Sequence, residues 1–270
     1  MKFLTFVEID LRKIIPFLLG MYAIAIAGFQ GLFVKLVSNV NEQIVQGAAE
    51  SGTTMDEYLK TLDKMSLTSI IDPNPFPLIV LIFVGLGLIL FGFYLWYKEW
   101  FGASKRIYTL LSIKGSRFRI FTSKLATFLF IFVAYYGIVL LNLIISSFLV
   151  KFLLPEQIIG SDLVQNYILH SQFLPFVIPV SLGSLLFNLA FLIMMFAILS
   201  VFVLWDRSKR IWGMIGGFIY TGSTVAVFFY LNTLDLYTSE RTIVNWGFVL
   251  CVLAISTAFS YYLLKKKVSI

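Results

Sequence analysis

Six long stretches of this chain contain no Asp, Glu, Lys or Arg, and they constrain its fold more than any other feature. Each is longer than the roughly 20 apolar residues that a helix needs to cross the hydrocarbon core of a bilayer. The composition agrees, since 59% of the residues are hydrophobic. We therefore predict an all-α integral membrane protein, with residues 1–270 forming a single transmembrane domain. The stretches are 14–34, 73–97, 125–150, 163–205, 211–234 and 242–264.

Insertion energies support this interpretation. Residues 125–150 include 17 Leu, Ile, Val and Phe residues, which together favour insertion by roughly 5–10 kcal/mol. The stretch 163–205 is too long for one crossing. Because Pro175 and Pro179 interrupt it, we predict that the fourth span begins near Pro179 and ends at Trp205, and that residues 163–174 form an interfacial segment.

The charged residues between the stretches are sorted by sign. If the N-terminus is cytoplasmic, the cytoplasmic segments 1–13, 98–124, 206–210 and 265–270 hold 16 basic and 4 acidic residues. The other side holds 5 basic and 10 acidic residues. Since basic residues favour the cytoplasmic face, we predict a multi-pass protein of the cell membrane with both termini in the cytoplasm. The net charge of +7 then reflects topology and attraction to membrane lipid, and we expect no binding to nucleic acid.

Two segments outside the spans show helical spacing. In residues 1–13, apolar residues recur on one face and polar residues on another, which predicts an N-terminal interfacial helix; a frayed tail is the alternative. The external segment 38–72 is mostly polar, but its second half has apolar residues at helical spacing. We expect that half to form a partly ordered cap.

Several kinds of catalytic and metal site are disfavoured. Cys251 and His170 are the only residues of their types, so a cluster of such ligands cannot form within the chain. There is no phosphate-binding Gly-x-x-x-x-Gly-Lys-Ser/Thr motif and no His-Glu-x-x-His motif. The predicted spans contain no ionisable Asp, Glu, Lys or Arg with which to bind a coupling ion. If the protein moves a solute, we expect the energy to come from another polypeptide.

The cytoplasmic segment 98–124 is the best candidate to receive that energy. It carries seven basic residues and one acid, Glu99, around an apolar centre. Residues 104–113 could form a short amphipathic helix, which we predict to be a docking element for a partner. A basic loop that lies on anionic headgroups is the alternative. Glu99 lies near Lys98, Lys105 and Arg106, and it could stabilise the N-terminus of the helix or pair with a base at the cytoplasmic ends of the spans. An exposed ion pair, which contributes only about 0–1 kcal/mol, is the alternative.

This segment resembles the loop after the second span of permeases in ATP-binding-cassette transporters of the type-2 exporter class. The matching letters are EWFGA at 99–103, YTLLS at 108–112 and SR at 116–117. Residues 113–115 read IKG where the family often has a proline. The six-span layout, the N-terminal interfacial helix and the cytoplasmic termini also agree with that family.

The resemblance implies a short cytoplasmic coupling helix between the second and third spans, which docks on a separate ATPase subunit. ATP and Mg would then be bound by that partner, and this chain would have no nucleotide site, no cofactor and no enzymatic activity of its own. The positions expected to transmit ATP-driven motion are Glu99, Gly102, Tyr108, Leu110, Leu111 and Arg117.

Small residues recur at four-residue spacing in the fifth span, at Gly213, Gly217 and Thr221. Such residues let two helices approach closely. We favour packing within the chain over a dimer contact, although the resemblance implies a second permease copy or homologue and raises the dimer interpretation.

The cargo is expected to be hydrophobic or amphipathic, such as a peptide, toxin, drug or lipid, because the spans lack charge. Phe218, Tyr220 and Phe228 are candidates to line its path; packed or lipid-facing aromatics are the alternative. The sequence thus predicts the permease subunit of an ATP-driven exporter of peptides or antibiotics. A non-transporting membrane immunity or sensor-accessory protein is the second hypothesis. A membrane-embedded enzyme that uses His170 or a serine is the third.

Overall fold

The computed structural model describes residues 3–101, 118–209 and 211–267. Within these ranges every regular element is helical, and the single β-bridge pairs Met65 with Ile159. Six helices are long and apolar enough to cross a membrane. The prediction of a helical protein with six helices that could span a membrane is therefore confirmed. The six are α1 (Phe3–Ser51), α4 (Phe76–Phe101), α5 (Phe118–Leu153), α7 (Leu182–Lys209), α8 (Ile211–Thr233) and α9 (Thr238–Tyr262).

Three shorter helices lie between the long ones in the described residues. They are α2 (Met55–Thr61), α3 (Leu67–Ile71) and α6 (Leu163–His170). Single 3₁₀ turns lie on either side of α6, at Glu156–Ile158 and at Leu174–Phe176. A π-helical turn at Leu263–Lys267 continues α9.

The long helices extend beyond the charge-free stretches. Helix α1 begins at Phe3 and runs without interruption through Pro16 to Ser51. Residues 1–13 are therefore not a separate helix in the part that the structure describes, and the polar segment after residue 38 begins as helix. An interfacial position for the first turns of α1 remains a prediction. Helix α7 begins at Leu182, three residues after Pro179, because a proline lacks the N–H that a helix interior requires.

The chain divides into two compact units. The first contains Met1–Ile15, Gly87–Phe132 and Gly183–Ile270. Its core is aromatic: Phe196 of α7 packs on Phe121 and Phe128 of α5, with ring centroids 5.6 Å and 5.2 Å apart. Trp96 of α4 is fully buried, and its Nε1 donates to Ser200 Oγ of α7 at 2.8 Å. Such contacts hold helices together in lipid, where burial of apolar surface contributes little.

The second unit contains Pro16–Leu86 and Val133–Leu182. A polar network joins α1 to α5 in its interior: Gln30 Nε2 donates to Asn142 Oδ1 at 3.0 Å, and Ser146 Oγ donates to Gln30 Oε1 at 3.3 Å. Tyr135 OH also donates to the carbonyl of Leu81 at 2.7 Å. Asn142 and Ser146 are fully buried, and their hydrogen bonds make the network a structural contact between spans.

Residues 55–71 form two short helices of this unit, α2 and α3, rather than one. That they cap the membrane-spanning part on its outer side remains a prediction. The backbone of Met65, between the two helices, bonds to the segment before α6. Met65 N donates to Ile158 O at 2.6 Å, and Gly160 N donates to Met65 O at 2.9 Å. Nearby, the carboxylate of Asp72 accepts from Ser171 Oγ at 2.9 Å and from Gln172 N at 3.0 Å. Tyr167 is fully buried in α6, and burial raises the pKa of its phenol.

Candidate functional site

Four charged side chains from three helices meet in the first unit. They are Asp10 of α1, Lys98 and Glu99 of α4, and Lys124 of α5, and we call them the charge cluster. Lys124 Nζ lies 3.6 Å from Asp10 Oδ2 and 3.7 Å from Glu99 Oε1. Lys98 Nζ lies 3.8 Å from Asp10 Oδ1. The two basic and two acidic groups balance within the cluster.

Three members of the charge cluster are buried, with residue exposures of 4% for Asp10, 2% for Glu99 and 1% for Lys124, and Lys98 is half-buried. Removing an ion from water costs several kcal/mol even in a relaxed protein, so buried charges need partners. Lys124 receives them from several sides. Its ammonium group also donates to the carbonyl of Leu95 at 2.7 Å and lies 5.6 Å from the ring centroid of Trp96. Lys124 therefore pairs with both buried carboxylates, those of Asp10 and Glu99.

A second polar contact secures the end of α4 to α7. Tyr97 OH donates to Asp206 Oδ2 at 3.1 Å, and Asp206 is paired with the adjacent Arg207 at 3.4 Å. The guanidinium carbon of Arg207 lies 5.2 Å from the ring centroid of Tyr97 and 5.8 Å from that of Trp100. Together with the charge cluster, this contact connects the last turns of α4 to α1, α5 and α7.

Members of the charge cluster lie at both ends of the segment 98–124, which we predicted to couple this chain to a partner. Residues 98–101 end α4 and residues 118–124 begin α5, so the connection between the two spans is shorter than the predicted segment 98–124. Glu99 is a buried helical residue rather than an exposed loop residue, and Lys124, a base at the start of the next span, is an ion-pair partner that the structure describes. Lys105 and Arg106, two of the local bases considered for Glu99, lie outside the described residues. Gly102, Tyr108, Leu110, Leu111 and Arg117, and the predicted coupling helix, lie outside the described residues.

The small residues of the fifth span pack against α7 of the same chain. A Cβ atom on Gly213 would overlap the carbonyl oxygen of Trp205, and one on Gly217 would lie 2.7 Å from the ring of Phe202. Glycine is therefore required where α8 approaches α7. Thr221 is half-buried, and its Oγ1 has no hydrogen-bond partner among the residues that the structure covers.

The three candidates for a translocation path have different surroundings. Phe218 is 64% exposed and meets Phe202 edge to face at 5.0 Å. Tyr220 shares a 2.6 Å hydrogen bond with Ser256 Oγ of α9. Phe228 packs between α7 and α9, against Phe191 and Phe248. These contacts hold the helices of the first unit together; a role in transport stays a prediction.

Within the described ranges, neither His170 nor any group of potential metal ligands forms a second candidate site. His170 lies exposed at the end of α6, with Nδ1 3.0 Å from the carbonyl of Asn166. No group of three His, Cys, Asp or Glu residues is placed to hold a metal ion within residues 3–101, 118–209 and 211–267.

Comparison of the chain with protein-family models, with curated proteins and with solved structures finds no significant match. The class of the protein therefore rests on its own architecture. The six apolar helices define a multi-pass helical membrane protein.

Proposed function

We propose that this chain is the membrane-spanning subunit of an ATP-driven exporter. It would form the translocation path with a second permease copy or homologue, and a separate ATPase would supply the energy. The likeness of residues 99–117 to the coupling loop of type-2 exporters supports this proposal, as does the six-helix layout.

The observation that carries the proposal is the position of the charge cluster. Residues 102–117 connect α4 to α5, and Glu99 and Lys124 lie a few residues from the two ends of that connection. Asp10 ties both helix ends to the first turns of α1. A force applied to the connection would therefore act on three helices at once. A buried charge that loses its partner is unfavourable, so these ends resist independent movement.

The need for a second copy is supported by α8. In the most apolar 18-residue stretch of α8, only 6% of the residues are buried within this chain, whereas in that of α7 the share is 56%. The exposed surface of α8 is available to lipid or to a second subunit. A cleft between two such subunits would be lined by uncharged side chains, which suits a hydrophobic or amphipathic cargo, such as a peptide or an antibiotic.

The test is to purify the tagged chain from membranes of its own host and to identify copurifying proteins that contain a phosphate-binding loop. We expect such a protein, with Mg-dependent ATP hydrolysis in the complex. Leu110→Asp should abolish the association, because it places a carboxylate on the predicted docking surface. Glu99→Gln should keep the complex and lower its rate of ATP hydrolysis, because it weakens the link to Lys124.

Leu62→Asp is the matched control, since it makes the same change in the connection between α2 and α3. It should leave both the complex and the rate unchanged. If Leu110→Asp and Glu99→Gln both leave association and hydrolysis at wild-type levels, coupling through this segment is refuted. Full biological activity in a host that lacks any associated ATPase would favour the immunity or sensor-accessory hypothesis instead.

A further inference from the structure

The chain passes between the two compact units at four places, and most of these crossings fall at residues that weaken a helix. They lie between Ile15 and Pro16, Leu86 and Gly87, Phe132 and Val133, and Leu182 and Gly183. After three of the four, the next residue is proline or glycine, although these types supply only 7 and 18 of the 270 residues. The remaining crossing, in α5, lies shortly before Gly137. Proline and glycine are the residue types that a helix interior tolerates least.

Helix α1 is anchored on both sides of Pro16. Before this residue, Asp10 pairs with Lys124 within the first unit. After it, Gln30 donates to Asn142 within the second unit. Because proline has no N–H, α1 lacks the backbone hydrogen bond that this position would otherwise give to the carbonyl one turn earlier. The backbone of α1 is therefore weakened between two fixed points that belong to different units.

Helix α4 is likewise anchored on both sides of its crossing at Gly87. After the crossing, Trp96 Nε1 donates to Ser200 Oγ within the first unit. Before it, the carbonyl of Leu81 accepts from Tyr135 OH within the second unit. In a regular α-helix that carbonyl accepts the N–H four residues later, so the tyrosine competes with the hydrogen bonds of the helix itself. A side chain that intrudes in this way favours bending.

Packing does not require glycine next to these crossings. A Cβ atom on Gly85 would lie 3.4 Å from Tyr135 OH, which is ordinary contact, and one on Gly137 would meet no atom within 4 Å. Gly213 of α8 differs, because a Cβ atom there would overlap the backbone of α7. A glycine inside a helix is about 1 kcal/mol less favourable than alanine. Glycines that cost stability without allowing a close approach favour a role in backbone flexibility.

We propose that the chain is hinged where it passes between the units, and that the second unit moves relative to the first as a body. Helix α1 bends at Pro16, α4 bends at Gly85 to Gly87, and α5 bends near Gly137. The fourth connection needs no such residue in a helix, because residues 177–181 are not helical. Hinges of this kind confine a large backbone change to a few positions. This inference does not depend on the proposed transport function.

The experiment measures distances between pairs of spin labels by electron paramagnetic resonance in the purified full-length chain, reconstituted in lipid nanodiscs. The first pair reports between the units. It joins the native Cys251, exposed in α9 of the first unit, to Lys151→Cys, at an exposed position in α5 of the second. The second pair reports within the second unit and joins Gln43→Cys, at an exposed position in α1, to Lys151→Cys in a Cys251→Ser background. We expect a broader distance distribution for the first pair than for the second.

Pro16→Ala combined with Gly85→Ala should narrow the distribution of the first pair towards that of the second. Alanine restores the missing hydrogen bond at residue 16 and favours helix at both positions. Each single substitution should narrow the distribution in part. Gly222→Ala is the matched control, because Gly222 lies in α8 within the first unit and a Cβ atom there meets no atom within 4 Å. It should leave both distributions unchanged.

Equal widths for the two pairs in protein without the hinge substitutions would overturn the proposal, because the two units would then move as one body. The assignment of the hinge to these residues would be overturned by a broad distribution that neither the single substitutions nor the double variant narrows. It would also be overturned if Gly222→Ala narrowed the distribution as much as the double variant does.

Discussion

Lys124 Nζ lies 3.6 Å from Asp10 Oδ2, so the start of the third span is paired with the first turns of the chain. Both side chains are buried. The same ammonium group is also the described partner of Glu99 at 3.7 Å. A single lysine thus compensates two buried carboxylates that come from different helices.

Lys124→Met is expected to destabilise the protein strongly. It leaves both carboxylates without that cation in a buried site, which costs about 3–5 kcal/mol. At roughly 2–4 °C per kcal/mol, the melting temperature of the purified protein should fall by about 6 °C or more. Arg119→Gln removes a charge from an exposed position one turn earlier in α5 and should have little effect. Equal melting temperatures for the two variants would show that the pairing contributes nothing.

Gly213 and Gly222 allow a matched test of helix packing, because both lie in α8. A Cβ atom on Gly213 meets backbone of α7, which cannot rotate away, whereas one on Gly222 meets no atom within 4 Å. Gly213→Ala should lower stability by about 1–3 kcal/mol through overpacking. Gly222→Ala should leave stability unchanged or raise it slightly, because alanine favours helix. Thermal unfolding of both variants decides the point, and a loss only in Gly222→Ala would contradict this packing.

Gln30 holds α1 to α5 through Asn142 and Ser146. Replacing Gln30 with leucine puts an apolar side chain of similar length in the span, but it deprives Asn142 Oδ1 and Ser146 Oγ of a hydrogen-bond partner. Interhelical hydrogen bonds in membranes average about 0.6 kcal/mol and reach about 1.7 kcal/mol, so the loss should fall in that range. Ser147→Ala is the control, since Ser147 is half-buried and its Oγ donates to the carbonyl of Ile144 in its own helix. A double-mutant cycle with Asn142→Leu measures the coupling, and additive effects would refute it.

Asp72 joins the end of α3 to the segment after α6 by two hydrogen bonds. Asp72→Ala should loosen this connection, at a cost of about 1–3 kcal/mol for the donors left unpaired. Limited proteolysis of the purified protein should then cut residues 171–176 faster than in wild type. Asp63→Ala, at an exposed position between α2 and α3, should be cut at the wild-type rate. Unchanged cleavage in Asp72→Ala would mean that the cap does not depend on this carboxylate.

The spans were predictable because the absence of charge over more than 20 residues is a direct signature of lipid burial. Their limits were not, since a charged residue can stay in a helix if it finds a partner. Lys98, Glu99 and Lys124 are helical for this reason, although each lies just outside a charge-free stretch. Helix α1 continues past Lys35, and its last turns approach α2 so closely that a Cβ atom on Gly47 would overlap the side chain of Tyr58.

The charge cluster was not predictable from local sequence. The sequence suggested that Glu99 could pair with a base at the cytoplasmic ends of the spans, but it did not select Lys124. Spacing along one helix does not show which helix ends meet. The available signal was the position of Lys124 directly before a charge-free stretch, together with an acid, Asp10, just before another. Two opposite charges at the same predicted membrane face are candidates for pairing, and only the fold selects among them.

The first helix has a consequence for how the protein can be studied in cells. Its residues 16–51, which belong to the second unit, are about 54 Å long. Even tilted by about 40°, this part would project about 41 Å along the bilayer normal, more than the roughly 30 Å of the hydrocarbon core. Part of the helix must therefore lie outside that core. An epitope inserted after Ser51 should be readable by antibodies from one face of intact cells, and so report directly on which way the polypeptide threads.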